Sequence, residues 1–297
     1  MLLGREVVIV EATRTPIGRG HPEKGVLRDV HPSTLLGATF RSLVDRAGID
    51  PSEVGDVVTG CVQQIGVQGL NIGRNAWLEA GLPLEVPATT VDRQCGSGQQ
   101  AVNFAAALVA SGVHDVVLVI GVEKMRDKSS EEGLLSRAAA GHPIFTRGET
   151  APVLFAPFAT RHMHEFGTTR EMLASVAVKN HYNGARDPYA HFQNEITVDD
   201  VLKSQPVCHP LHLLDCCPQT DGAAAVLLVS AERAREFTDK PVYVAGFGVA
   251  TDHPYLHEKD SFTEIKVTRM ASQRAYAMAG IGPGDIDCAE VHDCFTI

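Results

Sequence analysis

The sequence predicts an α/β protein whose mostly parallel sheet is covered by helices on both faces. Three observations predict it: short β-branched runs alternate with helical segments, those runs are apolar on both faces, and one helix–turn–strand segment recurs late in the chain. Glu6–Val10 reads as a buried strand closed by the polar stretch Glu11–Pro16. A helix follows over Ser33–Ala47, capped by Ser33 and stopped at Gly48. Asp56–Thr59 is the next strand and Asn71–Ala80 the next helix. Thr89–Val91 is a short strand that leads into the turn around Cys95. Gly98–Ser111 is an alanine-rich helix, and Val116–Ile120 a strongly apolar strand. From Arg126 to about Pro206 charges, prolines and histidines interrupt the apolar runs, which reads as an inserted loop region with one clear helix, Thr169–Tyr182. Regular texture returns at Thr220–Ser230.

The recurrence pairs Ala47–Val58 (AGIDPSEVGDVV) with Ala279–Glu290 (AGIGPGDIDCAE). Each follows an amphipathic helix and leads into a strand-like stretch. Two related halves are implied, the second incomplete: one helix and two strands cannot bury a sheet face, so the chain reads as C-terminally truncated. Its 297 residues, 44% hydrophobic and 21% charged, are those of a globular protein rather than a disordered one. A formal net charge of −10 and the absence of a basic cluster argue against nucleic-acid binding. No apolar stretch is long enough to span a bilayer. Seven cysteines scattered over positions 61 to 294 do not form a disulfide framework, and with no leader pattern a cytoplasmic setting is expected.

Cys95 sits in Asp92–Gln100 (DRQCGSGQQ), between a strand end and a helix start. Gly96 and Gly98 permit a tight turn and close approach of a ligand to the backbone. The reactive form of cysteine is the thiolate, and a helix N-terminus favours negative charge. A sulfur held there can accept an acyl group while a nearby N–H stabilises the oxyanion. The residues leave a second reading open, a small thiol packed into a tight turn.

Four segments in this order resemble the thiolase family: Val8–Gly18 (VIVEATRTPIG), the Cys95 segment, Gly121–Met125 (GVEKM) and Asp221–Ala225 (DGAAA). The resemblance implies the layered αβαβα thiolase fold of two similar halves. Residues 1–125 and 207–237 would form the N-terminal half, 126–206 the inserted loop domain and 238–297 the start of the C-terminal half. It further implies reversible thiolysis of 3-ketoacyl-CoA, or Claisen condensation, through acyl-Cys95. Coenzyme A would be a substrate, with no permanently bound cofactor. Glu290–Phe295 (EVHDCF) resembles the HDCF loop of sterol-carrier-protein-2-type thiolases, where most others carry Asn-Glu-Ala-Phe. By that match His292 would donate a hydrogen bond to the thioester carbonyl oxygen, and Cys294 would be the acid/base that moves the proton at the substrate α-carbon or protonates the leaving group. Claisen chemistry needs both groups.

The family's Gly-His-Pro loop, whose histidine activates the nucleophile, would fall beyond Ile297, so this chain alone is expected to lack turnover. Gly141-His142-Pro143 spells the tripeptide in the inserted region and reads as coincidence. The resemblance implies a homodimer or tetramer, with Gly60–Arg74 at the dimer interface, and in some relatives a small zinc-containing OB-fold partner. Cys208, His209, His212, Cys216 and Cys217 lack a usual zinc spacing, so no metal is expected. His162 and His164 read as residues of a solvated loop, and Asp221 and Gly222 as supports of the turn into the sheet. The competing functions are a β-ketoacyl-synthase-like condensing enzyme and a non-catalytic subunit that binds acyl-CoA or a partner protein.

Overall fold

The computed structural model describes residues 4–124, 150–253 and 255–297. They fall into two compact units, one from the described residues of Met1–Leu134 with Gln219–Phe247, the other from those of Leu135–Pro218 with Gly248–Ile297.

The first unit is a seven-stranded sheet with helices on both faces. Its strands are β1 (Val7–Arg14), β2 (Gly18–Arg19), β3 (Asp56–Gly60), β4 (Ala88–Val91), β5 (Val116–Glu123), β6 (Thr220–Ser230) and β7 (Val242–Tyr243). They lie in the order β4-β3-β5-β6-β1-β7, with β2 paired to β6. The helices are α1 (Pro32–Ala47), α2 (Ile72–Glu79) and α3 (Ser97–Ala110). The period of two along the strands separates two cores. Val116, Leu118 and Ile120 join Leu36, Phe40 and Trp77 of α1 and α2 on one side. Val117 and Val119 join Ala101, Ala105 and Val109 of α3 on the other.

The sheet is mixed rather than mostly parallel. Only β3–β4 and β3–β5 run parallel; β6 enters between β5 and β1 and runs against both. A strand buried on both faces is continuously apolar whichever way it runs, so its pattern carries no direction. β1 also continues past Val10: a register shift between Ile9 and Glu11 keeps Glu11–Arg14 paired with Leu227–Ala224. The cap of α1 is His31, whose Nδ1 accepts from Ser33 N at 3.2 Å, while Ser33 lies in the first turn and donates to Glu79.

In the second unit α4 (Ala151–Phe166) and α5 (Arg170–Gly184) are followed by α6 (Val198–Lys203), a two-stranded hairpin of Pro206–Cys208 with Leu211–His212, and α7 (Lys266–Ala279). Thr169 caps α5, accepting from Met172 N at 3.3 Å. α4 departs from expectation, because Pro157 in its interior removes a backbone donor and argues against a helix. His162 and His164 therefore sit on a helix, not in a loop, with His162 Nδ1 2.7 Å from Thr168 Oγ1. One core joins Ala156 and Ala159 of α4, Leu173 of α5, Leu211 and Phe295; a smaller one joins Ala174, Ala177 and Val201. Gly141-His142-Pro143 and Met125 lie outside the described residues. Among the described residues no helix is long and apolar enough to cross a membrane.

The two copies of the recurring segment share their turns. α1 and α7 both end at a left-handed glycine, Gly48 (φ 65°) and Gly280 (φ 72°), followed by single 3-10 turns at Pro51–Glu53 and Pro283–Asp285. Past the turn they part. Asp56–Gly60 becomes β3, whereas Ile286–Glu290 forms no strand and stays exposed.

Candidate active site

β4 delivers the chain to the turn that holds Cys95. Asp92 Oδ1 accepts from Gln94 N at 2.7 Å, and Gln94 takes a left-handed φ of 49°. Gly96 N donates to Arg93 O (3.1 Å) and Ser97 N to Gln94 O (2.9 Å). The buried Ser97 hydroxyl closes the turn, donating to Gln94 O (2.6 Å) and accepting from Arg93 N (2.9 Å). Cys95 is exposed, one residue before the Gly96 cap of α3. Its sulfur is thus carried on a hydrogen-bonded turn at the positive end of a four-turn helix.

Two glycines bring that helix end onto the sheet. A Cβ on Gly60 would lie 2.6 Å from Gly98 N and from Ser97 C, so β3 and α3 meet at a distance only glycine allows. Gly121 stands beside Gly60 in the ladder. Nothing lies within 4 Å of where a Gly98 Cβ would project. A cavity of about 370 Å³ opens here, lined by Cys95, Gly98, Gly60, Gly121, Asp221 and Gly222 among others. It sits at the carboxyl ends of the parallel strands β3 and β5, where α/β sheets place their ligand crevices. Asp221 and Gly222 reach it from within β6, opposite Glu123, rather than from a turn before the strand.

The flanking segments are tied down by half-buried and buried polar groups. Thr15 Oγ1 accepts from Ala223 N at 3.0 Å. Glu123 accepts from Val62 N (2.8 Å) and Gln68 Nε2 (2.9 Å), which fastens the loop after β3 to the end of β5. Lys124 is buried and donates from Nζ to Arg28 O (2.6 Å) and Val30 O (2.7 Å). Cys61 also lines the cavity, but burial, and then the charge of Glu123, push its thiol well above the ordinary range.

His292 and Cys294 meet in the second unit, with Cys294 Sγ 2.8 Å from His292 Nε2. The loop that carries them is pinned just beyond. Phe295 is buried against Phe155 (ring centroids 4.7 Å apart) and pairs antiparallel with Cys216. Thr296 donates through N to Asp215 O (3.1 Å) and through Oγ1 to Asp215 Oδ1 (2.9 Å). Asp215 is buried and also accepts from His212 N (2.8 Å) and pairs with Arg170 at 3.3 Å. Cys95 belongs to the first unit and this pair to the second. Among the described residues no group of three or more His, Cys, Asp or Glu side chains is arranged to hold a metal ion.

Sequence reasoning missed Ser97, Gly60, Glu123 and Asp215 as parts of these sites. Gly60 carried a signal, since strands β3 and β5 both reach a glycine near their carboxyl ends. Asp215 carried little, because only His212 among its partners is near in the chain, while Arg170 and Thr296 are 45 and 81 residues away.

A mixed α/β sheet with an exposed cysteine at a helix N-terminus, over a cavity at the strand ends, defines the class: an α/β protein with a thiol at the mouth of a crevice. The thiolase N-terminal domain model matches residues 7–232, and the thiolase C-terminal domain-like model matches 248–297. The chain belongs to the thiolase family and has the thiolase fold. It is 40% identical over 294 residues to an acetyl-CoA acetyltransferase of Methanothermobacter thermautotrophicus, covering 99% of this chain and 75% of that one. It is 32% identical to sterol carrier protein 2 of Gallus gallus, over 90% of this chain and half of that protein. A solved structure described as an Ltp2-ChsH2(DUF35) aldolase superposes with a TM-score of 0.79 at 28% identity, covering all of this chain and 75% of that one.

Proposed function

We propose that the protein is an acyl-CoA acyltransferase that carries the acyl group on Cys95. The observation that carries this reading is the exposed Cys95 sulfur at the α3 N-terminus over the glycine-walled cavity. Attack of the thiolate on an acyl-CoA carbonyl forms the acyl-enzyme thioester and releases coenzyme A. Backbone N–H groups at the start of α3 face the carbon–oxygen bond as charge develops. In the second half-reaction His292 donates to a thioester carbonyl oxygen and Cys294 moves the proton at the α-carbon. Their 2.8 Å contact supports a shared role, since each can exchange a proton with the other. The identity to an acetyl-CoA acetyltransferase supports 3-ketoacyl-CoA thiolysis or the reverse condensation as the reaction.

Acetyl-CoA should add one acetyl group to the protein, mapped to Cys95, and should protect that residue from iodoacetamide. If Cys95→Ala is still acetylated, or retains normal acyl transfer, the assignment is wrong. A partner protein is the second reading, supported by the structural neighbour, an aldolase named for Ltp2 together with ChsH2(DUF35). Co-purification with a small protein of that type would support it, and a self-sufficient homo-oligomer would count against it.

A further inference from the structure

We infer that Cys217 and Cys294 form a modification site, a cross-strand thiol pair that a low-molecular-weight disulfide converts reversibly into an intramolecular disulfide. Cys217 N donates to Cys294 O at 2.9 Å and Thr296 N to Asp215 O at 3.1 Å. These two bonds flank the antiparallel bridge between Cys216 and Phe295. One residue further along, Cys217 faces Cys294 directly. Directly opposed residues of antiparallel strands have Cα atoms about 4.5–5.5 Å apart. Disulfides span Cα separations of about 4.4–6.8 Å, and side chains of an opposed pair leave the ladder on the same side.

The surroundings favour this pair over its neighbours. Cys217 is exposed, and both residues line a cavity of about 230 Å³. Cys216 is partly buried, and burial together with the charge of Asp215 pushes its thiol up to about 11, which makes it the poorer nucleophile. Adjacent Cys216 and Cys217 have Cα atoms only about 3.8 Å apart, too close for an unstrained bridge. His292 Nε2, 2.8 Å from Cys294 Sγ, stands ready to take the proton of the resolving thiol.

The exchange balances with an oxidised small thiol as the oxidant. Cys217 gives up its proton to solvent, and its thiolate attacks one sulfur of the reagent. A mixed disulfide forms, the reagent's S–S bond breaks, and one small thiolate leaves and is protonated. Cys294 passes its proton to His292 and attacks the Cys217 sulfur, expelling the second small thiolate. Two protein thiols are oxidised, and one small disulfide is reduced to two thiols. Cys294 in the linked form has no proton to move, so linkage would silence the second half-reaction; that consequence rests on the acid/base role proposed above.

The test uses the protein incubated with oxidised glutathione, with remaining thiols alkylated and the chain cut by trypsin. Peptides 204–233 and 275–297 should appear joined, two hydrogens lighter, with fragmentation placing the bond between Cys217 and Cys294. Dithiothreitol should separate them, and Cys217→Ser should abolish the joined species. Cys217 found carrying glutathione beside an alkylated Cys294, or a bond placed on Cys208, Cys216 or Cys288 instead, would overturn the inference. This mapping reads the bond without reference to catalysis. A linked protein with undiminished acyl transfer would support the modification site while removing Cys294 from the mechanism.

Discussion

Cys95 and Cys294 are held by opposite kinds of structure. Cys95 stands on a turn between β4 and α3 that is closed by its own near neighbours, Asp92, Gln94 and Ser97. The start of α3 meets the sheet through the close approach of Gly60, and the rest of α3 packs on it through Ala101, Ala105 and Val109. Cys294 has almost no local framework. Residues 286–293 are exposed, and the loop is held by what it touches far along the chain: Phe155, Cys216 and Asp215. A turn that is its own scaffold keeps its geometry when distant contacts change. A loop pinned by distant contacts does not.

The largest effect should come from the sulfur itself. Cys95→Ala should abolish acetylation of the protein by acetyl-CoA, as removal of a covalent nucleophile does, with the melting temperature nearly unchanged. Acetylation mass and a thermal melt on the same sample check both. Next is selectivity among thiols. At pH 8 a thiol whose pKa is pushed up to about 11 is roughly one part in a thousand thiolate. Iodoacetamide should therefore spare Cys216, and the buried Cys61 more so, while labelling Cys95. Labelling of Cys216 should rise tenfold per pH unit until the pH nears its pKa; a flat pH profile would contradict the burial.

Phe295→Ala should cost about 3 kcal/mol in the second unit, because it empties the space against Phe155 and releases the loop. Cys294 should become more reactive to alkylation, whereas Cys95 should react as before. Gly60→Ala tests the opposite site: the added methyl overlaps the α3 N-terminus and should cost about 2 kcal/mol. Cys95 labelling should change and Cys294 labelling should not. Parallel changes at both cysteines in either variant would break the contrast. The smallest effect is expected of Thr296→Val, which removes one hydrogen bond to the buried Asp215 and should cost about 1.5 kcal/mol. Urea unfolding would measure it.

Much of the first site was legible along the chain. The strand, the cysteine, the two glycines and the helix are consecutive, and the physics that joins them acts over a few residues. The structure moved the start of α3 from Gly98 to Ser97 and identified the Ser97 hydroxyl as the clasp. The second site was legible only as a likeness of six residues, since nothing in Glu290–Phe295 names Asp215 or Phe155. α4 was missed for a local reason, its internal Pro157, which tertiary packing of Ala156 and Ala159 overrides.

The repeated segment marks where sequence stops deciding. AGIDPSEVGDVV and AGIGPGDIDCAE each end a helix at a left-handed glycine and each fold a proline turn, because capping and turn energies belong to adjacent residues. Whether a strand follows is not a local property. Val57 and Val58 form one because β4 and β5 lie on either side to take their hydrogen bonds, and helices cover both faces. Ile286 and its neighbours have the same approach and no such partners among the described residues. Caps, turns and the cysteine elbow were determined by the sequence itself. Strand pairing, strand direction and the anchoring of Cys294 were decided by residues that meet only when the chain has folded.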